Sequence, residues 1–211
     1  MYNQQPQLVL TPVVKTLLII NIVMYIGTTF MVPRLAPYLW IYYPASIYFQ
    51  PYQLLTHLFM HDPGGLQHIF FNMFGLVTFG PIIEMVWKEK RFLFYYLFCG
   101  FGASAVDFAA KYWQISNGTL ILDQVKDIPS MGASGCLYGV LVAFGLLFPN
   151  QKLGLMFIPI QFPAKYFVPA IIGIDLYLGL SNQNTGVGHF AHVGGAVSGL
   201  LLMAYWWKGS K

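Results

Sequence analysis

Five polar side chains stand inside long apolar runs of this 211-residue sequence: His68, Asn72, Ser134, His189 and His192. Groups of this kind are costly in apolar surroundings and usually functional. A serine hydroxyl becomes a good nucleophile when a neighbouring base takes its proton, and histidine is the commonest such base. Ser134 and His192 therefore predict acyl-transfer chemistry, such as hydrolysis of a peptide bond, if the fold brings them together.

The surroundings of Ser134 suit a nucleophile at a helix start. The stretch Gly132-Ala133-Ser134-Gly135 leaves little bulk around the hydroxyl. The backbone N–H of Ser134 would fall in the first helical turn, where donors lack partners, so it could bind an oxyanion. The simpler alternative is a helix cap or a packing residue.

His68 and Asn72 are four residues apart, so both project from one face of a predicted helix. Both can donate hydrogen bonds, and with the Ser134 N–H they could surround a developing oxyanion. The alternative is an interhelical hydrogen-bonded pair of small energetic value.

Tyr138 follows Ser134 by one helical turn and could stack on the His192 ring, or serve as an ordinary interface aromatic. No carboxylate is obviously placed to orient His192. Asp175 falls midway along the predicted fifth helix and Asp107 late in the third. A Ser–His dyad is therefore the simpler prediction than a triad.

Two rows of small residues could bring the serine and the histidine together. Small residues at four-residue spacing let membrane helices approach closely. If the rows face each other, Ser134 and His192 come within hydrogen-bonding reach near the outer side of the membrane. The rows are Gly135, Gly139 and Ala143 on the fourth helix, and Ala191, Gly195 and Gly199 on the sixth.

The composition of the chain indicates a protein embedded in a lipid bilayer. The chain is 57% hydrophobic and 9% charged, with 11 basic and 7 acidic residues, whereas a soluble domain is about 25% charged. An aromatic content of 18% excludes disorder, and a net charge of +4 from scattered bases excludes a soluble nucleic-acid binder. Cys99 and Cys136 lie in apolar runs, which gives no sign of a disulfide framework.

The uncharged stretches predict an all-α membrane protein with six transmembrane helices, since each span needs about 20 apolar residues. A single membrane domain covers residues 12–207, between a short segment 1–11 and a tail 208–211. The prolines and aromatic residues between the first two helices indicate an interfacial loop. The predicted helices are Thr16–Pro33, Leu66–Val86, Phe92–Ala110, Gly132–Phe148, Ala164–Ser181 and Val187–Trp207.

The positions of the lysine and arginine residues predict the orientation of these helices in the membrane. With the amino terminus in the cytoplasm, eight of the eleven bases face the cytoplasm, and only Arg34, Lys111 and Lys126 lie outside. Both termini are therefore predicted to be cytoplasmic. The polar connection Asn182–Gly188 is predicted to be a mobile cap over the site.

The chain resembles the rhomboid intramembrane serine proteases. The resemblance runs from about Thr11 to the carboxyl end and rests on motifs in the family's order, on its second, fourth and sixth helices. These are His68-Ile69-Phe70-Phe71-Asn72, Gly132-Ala133-Ser134-Gly135 with Tyr138, and Ala191-His192-Val193-Gly194-Gly195 with Gly199.

The resemblance implies a role for each of these residues. Ser134 would be the nucleophile and His192 the general base. His68, Asn72 and the Ser134 N–H would form the oxyanion hole, and Tyr138 would support the imidazole. Substrates would be membrane proteins cut in or near a transmembrane helix, without a metal or cofactor. A multi-pass protein of the cell membrane, such as a bacterial inner membrane, is implied, and the oligomeric state is left open.

The first loop departs from the family pattern. Tyr52-Gln53 stands where many relatives have Trp-Arg, which puts the loop's bilayer contacts in question. The resemblance further implies structural roles for His61 and Glu84.

Two other functions compete with proteolysis. An inactive rhomboid relative would bind client membrane proteins without cutting them, but such relatives usually lack the serine or the histidine. A metal-dependent protein could use His57 with His61, or His189 with His192, at ligand-like spacing. No His-Glu-x-x-His motif supports that alternative.

Overall fold

The computed structural model describes residues 9–154, 160–181 and 188–209. Over these residues the fold is mostly helical. The long helices are α1 (Pro12–Ile26, extended by a π turn at Gly27–Met31), α4 (Leu66–Trp87), α5 (Glu89–Ser116), α7 (Ser134–Leu147), α8 (Ala164–Leu180) and α9 (His189–Gly209).

Short elements fill the connections. The loop between α1 and α4, called here the first loop (residues 32–65), holds α2 (Ala36–Leu39), α3 (Gln53–Thr56) and 3₁₀ turns at Pro33–Leu35 and His57–Phe59. The helix α6 (Leu122–Val125) precedes α7. An antiparallel hairpin pairs β1 (Lys152–Gly154) with β2 (Gln161–Pro163), with Leu153 opposite Phe162. This hairpin was not predicted.

Each of the six predicted helices has a counterpart, but the ends differ. The third, predicted as Phe92–Ala110, runs from Glu89 to Ser116. The prediction ended this helix before Lys111, since it placed the helices in stretches without clustered charges. In the structure Lys111 forms a 2.9 Å ion pair with Asp107 one turn earlier, and the helix continues. Paired charges of this kind are compatible with a helix that continues beyond the apolar stretch.

The described part of the chain contains four helices long and apolar enough to cross a membrane. They are Pro12–Met31, Leu66–Trp87, Glu89–Ser116 and His189–Lys208, and Ser134–Leu147 is a shorter apolar helix. Large apolar side chains such as Ile19, Phe94 and Leu201 are exposed along them, as expected for surfaces that meet lipid. The helical membrane fold is confirmed; six crossings and two cytoplasmic termini stay predictions.

The core lies where α5, α7 and α9 meet, the most extensive helix contacts of the fold. Tyr95 and Tyr96 of α5 are fully buried there, and the Tyr95 hydroxyl donates to the Gly139 carbonyl of α7 at 2.8 Å. This three-helix core supports the helix ends that carry the candidate site.

Candidate active site

Ser134 is the first residue of α7, and the segment before it is fixed from outside the helix. Ser130 and Ile41 of the first loop exchange two backbone hydrogen bonds of 2.8 and 3.0 Å, and the Gly132 N–H donates to the His57 carbonyl at 2.9 Å. The first loop therefore sets the position of the helix start and of the serine.

Gly132 cannot be replaced without strain. Its φ is +126°, which side-chain-bearing residues rarely adopt, and a Cβ there would lie 2.8 Å from His68 Nε2. The same Cβ would lie 3.7 Å from Ser134 Oγ. The absence of a side chain at Gly132 therefore lets the His68 ring approach the serine.

The two rows of small residues face each other. A Cβ on Gly195 would fall 1.9 Å from the Gly135 carbonyl oxygen, and a Cβ on Gly199 would fall 3.0 Å from Gly139 Cα. The helix α5 also enters this contact, since a Cβ on Gly139 would lie 2.2 Å from Cys99 Sγ. The sequence pattern indicated α7 and α9 but not their common neighbour α5.

This close approach brings the serine and the histidine together. Ser134 Oγ lies 2.9 Å from His192 Nε2, a hydrogen bond between α7 and α9. The His192 ring lies parallel to the Tyr138 ring, with centroids 4.3 Å apart and planes 13° apart. Tyr138 thus covers one face of the imidazole, in the arrangement predicted for it.

No carboxylate was obviously placed beside His192 by the sequence, but one lies there in the structure. Asp175 of α8 places its Oδ1 3.2 Å from His192 Nδ1. The same oxygen lies 2.5 Å from His189 Nδ1, and Oδ2 accepts a hydrogen bond from the Tyr138 hydroxyl. The sequence did not reveal this because the direction in which α8 projects Asp175 depends on its packing against α9.

Asp175, His189 and His192 also form the one cluster within the described residues that could hold a metal, with one ligand atom each within 4.8 Å of one another. His57 and His61, the other predicted metal pair, have separate partners. His57 contacts the Gln53 carbonyl and Ser104, and His61 contacts Asn21. Burial lowers the pKa of His57 to about 4 and that of His61 to about 3.

His68 keeps a ring N–H free in the cavity that also contains Ser134. Its Nδ1 accepts a hydrogen bond of 3.0 Å from the Asp62 backbone N–H, so in a neutral ring the proton must be on Nε2. Nε2 is the His68 atom nearest to the Gly132 position, and Ser134 Oγ lies 3.7 Å from a Cβ built at that same position. No residue pattern indicates Asp62, because its contribution is a backbone N–H group.

Asn72 is buried beside His68, and both line the cavity that contains Ser134. Its Nδ2 donates to the His68 carbonyl at 2.8 Å, and a second N–H on the same nitrogen remains beyond that bond. Its Oδ1 has no hydrogen-bond partner among the described residues. The amide can therefore serve a further polar group in the cavity.

The cavity has a volume of about 850 Å³, large enough for a peptide segment. Its walls come from the first loop, α4, α5, α7, α8 and α9, and Ser134, His192, His68, Asn72 and Tyr138 all line it. Of the predicted cap Asn182–Gly188, only Gly188 is among the described residues, and it lines the cavity too. The arrangement offers a nucleophile, a base and hydrogen-bond donors in one space.

Comparisons with known proteins point to a single family. The chain matches the family model described as Rhomboid domain over residues 48–209. It is 32% identical over 139 residues to the Presenilin-associated rhomboid-like protein A, mitochondrial, of Danio rerio, which covers 65% of this chain and 33% of that protein.

Two bacterial relatives are also similar. Rhomboid protease AarA of Providencia stuartii is 28% identical over 153 residues, 69% of this chain and 52% of that protein. Rhomboid protease GluP of Bacillus subtilis (strain 168) is 28% identical over 154 residues, 72% of this chain and 25% of that protein. The matches thus span between a quarter and about half of the length of these relatives.

Proposed function

Because the chain belongs to the rhomboid family, we propose that this multi-pass membrane protein is a serine endopeptidase that cleaves transmembrane segments of other membrane proteins. The observation that carries the proposal is the 2.9 Å hydrogen bond between Ser134 Oγ and His192 Nε2 inside the cavity. The relatives named rhomboid protease support the same reaction class.

In the first half of the reaction, Ser134 attacks the carbonyl carbon of the scissile peptide bond while its hydroxyl proton passes to His192 Nε2. The carbonyl oxygen becomes an oxyanion. The His68 Nε2–H, an Asn72 amide N–H and the Ser134 backbone N–H are the donors proposed to bind it. His192 then gives its proton to the leaving amine, and the C–N bond breaks.

The second half hydrolyses the acyl-enzyme. Water loses a proton to His192 Nε2 and attacks the ester carbonyl, and the Ser134 oxygen leaves with that proton restored. The substrate carboxyl end is released. Residues of this chain supply every proton transfer in this sequence.

Water and substrate must both reach the serine. The 14 residues of α7 span about 21 Å, less than the roughly 30 Å of a bilayer's hydrocarbon core. A helix start below the membrane surface is tolerated where the preceding backbone lines a water-filled cavity. A substrate helix must also unwind locally, because a hydrogen-bonded helix shields its own carbonyls.

The chain is further proposed to cross the membrane six times, with both termini in the cytoplasm. The excess of bases on the cytoplasmic side supports this orientation. Reporter fusions at the two termini and in residues 117–121 test it, and a reporter active on the same side at all three positions would contradict it. The relatives are bacterial and mitochondrial, so a bacterial inner membrane stays a prediction.

The central experiment uses purified protein in liposomes with a single-span model substrate. Ser134→Ala and His192→Ala should each abolish cleavage, and a fluorophosphonate should label the wild type but not Ser134→Ala. Ser116→Ala is the matched control, since Ser116 is exposed at the end of α5 and its hydroxyl bonds only a carbonyl of its own helix.

Three results would contradict the proposal. Cleavage that survives Ser134→Ala would rule out the nucleophile, and cleavage that a chelator stops would favour the metal-dependent alternative. Saturable substrate binding without any cleavage by the wild type would indicate the inactive, client-binding relative.

A further inference from the structure

The carboxylate of Asp175 joins the two histidines of α9 to the tyrosine of α7. Oδ1 lies 3.2 Å from His192 Nδ1 and 2.5 Å from His189 Nδ1, and Oδ2 accepts the Tyr138 hydroxyl. We infer that Asp175 is a positioning residue for the reaction, which turns the Ser134–His192 pair into a three-membered chain. This inference rests on the proposed proteolytic function.

The first effect of Asp175 is on the tautomer of His192. An ionised carboxylate only accepts hydrogen bonds, so a contact with Nδ1 requires the proton on Nδ1. A neutral imidazole then keeps its lone pair on Nε2, which is the atom 2.9 Å from Ser134 Oγ. The opposite tautomer would direct an N–H at the serine, and His192 could not act as its base.

The second effect is electrostatic. When His192 takes the serine proton it becomes an imidazolium in contact with a negative charge. The side chains of His192 and Asp175 are 12% and 9% exposed, so water screens their attraction only weakly. The carboxylate therefore favours the charge that develops during attack.

The third effect is on orientation. His189 and His192 are three residues apart on α9, so both rings face α8. His189 and Tyr138 hold Asp175 from two sides, one on each carboxylate oxygen. The contacts with Asp175 restrict rotation of the His192 imidazole within its own plane. The stacked Tyr138 ring restricts movement perpendicular to that plane.

The distances favour shared protons over a bound metal. Two ligands of a tetrahedral Zn²⁺, each about 2.0–2.1 Å from the ion, lie about 3.3 Å apart. Asp175 Oδ1 and His189 Nδ1 lie 2.5 Å apart, which is a hydrogen-bond distance. The 3.2 Å between Asp175 Oδ1 and His192 Nδ1 fits either arrangement, so the His189 distance is the one that favours a shared proton.

The test compares cleavage by wild type, Asp175→Asn and Asp175→Glu in liposomes, with a chelator present throughout. Asp175→Asn should lower kcat at least about 100-fold, because the amide can equally well hold the wrong tautomer, while KM stays within about threefold. Asp175→Glu should recover part of kcat. Asp123→Asn, at an exposed carboxylate outside the site, should match the wild type.

Thermal unfolding in detergent separates positioning from folding. If Asp175→Asn unfolds at the wild-type temperature and keeps kcat within threefold, the inference is wrong, although the proposed function stands as long as Ser134→Ala is inactive. If Asp175→Asn does not fold, Tyr138→Phe replaces it, since it keeps the stacked ring and removes only the hydroxyl bond to Asp175. Tyr138→Phe should lower kcat about three- to tenfold, and an unchanged kcat would overturn the inference.

Discussion

Two histidines meet the cavity with opposite tautomers. His68 Nδ1 accepts from the Asp62 N–H, which leaves an N–H on Nε2. His192 Nδ1 donates to Asp175, which leaves a lone pair on Nε2. Both rings line the cavity that contains Ser134, so one histidine can bind an oxyanion while the other accepts a proton. The neighbour of each Nδ1, and not the histidine itself, determines which role it has.

Asn72 provides the clearest residue-scale test of the oxyanion proposal. Asn72→Ala removes the amide donor and should lower kcat about 10²- to 10³-fold, with little change in KM, because the donor acts mainly on the charge of the transition state. Steady-state cleavage of the model substrate measures both constants.

Thr78→Ala is the control for this change. Thr78 is a half-buried polar residue six positions later on α4, outside the set that lines the cavity. A wild-type kcat for Asn72→Ala would contradict the oxyanion role. The only function of Asn72 would then be its hydrogen bond to the His68 carbonyl.

At the scale of elements, a side chain of α4 caps the amino end of α1. The buried Glu84 accepts the Thr11 hydroxyl at 2.5 Å and the N–H groups of Val13 and Val14 at 2.9 Å each. A carboxylate there satisfies donors that a helix start leaves unpaired and complements the helix dipole. Glu84 therefore joins the first two long helices, in agreement with the structural role that its position implied.

Glu84→Gln should destabilise the protein by about 3 kcal/mol, since it weakens charge-assisted bonds and turns an amide NH₂ toward buried donors. Thermal unfolding in detergent measures the loss, and Glu89→Gln, at the exposed first residue of α5, should lose less than about 1 kcal/mol. Glu84 is 16 residues from His68, about 24 Å along α4. Cleavage per folded molecule should therefore stay at the wild-type rate, and a loss of kcat without a loss of stability would contradict this role.

Sequence patterns predicted the parts of the site that depend on local spacing. Long apolar runs located six helices, and the small residues at four-residue spacing indicated the contact of α7 with α9. Asp175 was missed because its contact with α9 depends on how α8 is rotated about its own axis. The sequence of α8 does not determine that rotation. The Asp62 N–H was missed because a backbone donor in a turn has no residue type to mark it.

At the scale of the whole molecule, buried polar side chains hold the first loop against the helices. Gln53, where many relatives have arginine, is 1% exposed and bonds the Tyr38 and Tyr48 carbonyls and the Gln50 N–H. His57 contacts Ser104 of α5, and His61 contacts Asn21 of α1. The loop is thus fastened to the helices by protein contacts.

The two loop histidines make stability depend on pH. Burial lowers the pKa of His57 to about 4 and that of His61 to about 3, below the ordinary value of 6.5. Above pH 6.5 both are neutral in the folded and the unfolded chain. As pH falls below 6.5, the unfolded chain binds protons that the folded chain does not, so the unfolding free energy decreases. Each histidine contributes up to about 1.4 kcal/mol per pH unit until the pH approaches its folded-state pKa.

Thermal unfolding in detergent between pH 7 and pH 5, above the range in which ordinary carboxyl groups titrate, should therefore show a midpoint that falls steadily with acidification. His61→Gln keeps an amide donor for the Asn21 oxygen but cannot titrate, so it should reduce the slope. Equal slopes in the two proteins would mean that His61 takes up its proton in the folded state. Because the His57 carbonyl holds the Gly132 N–H, cleavage should be lost along with the loop as the pH falls.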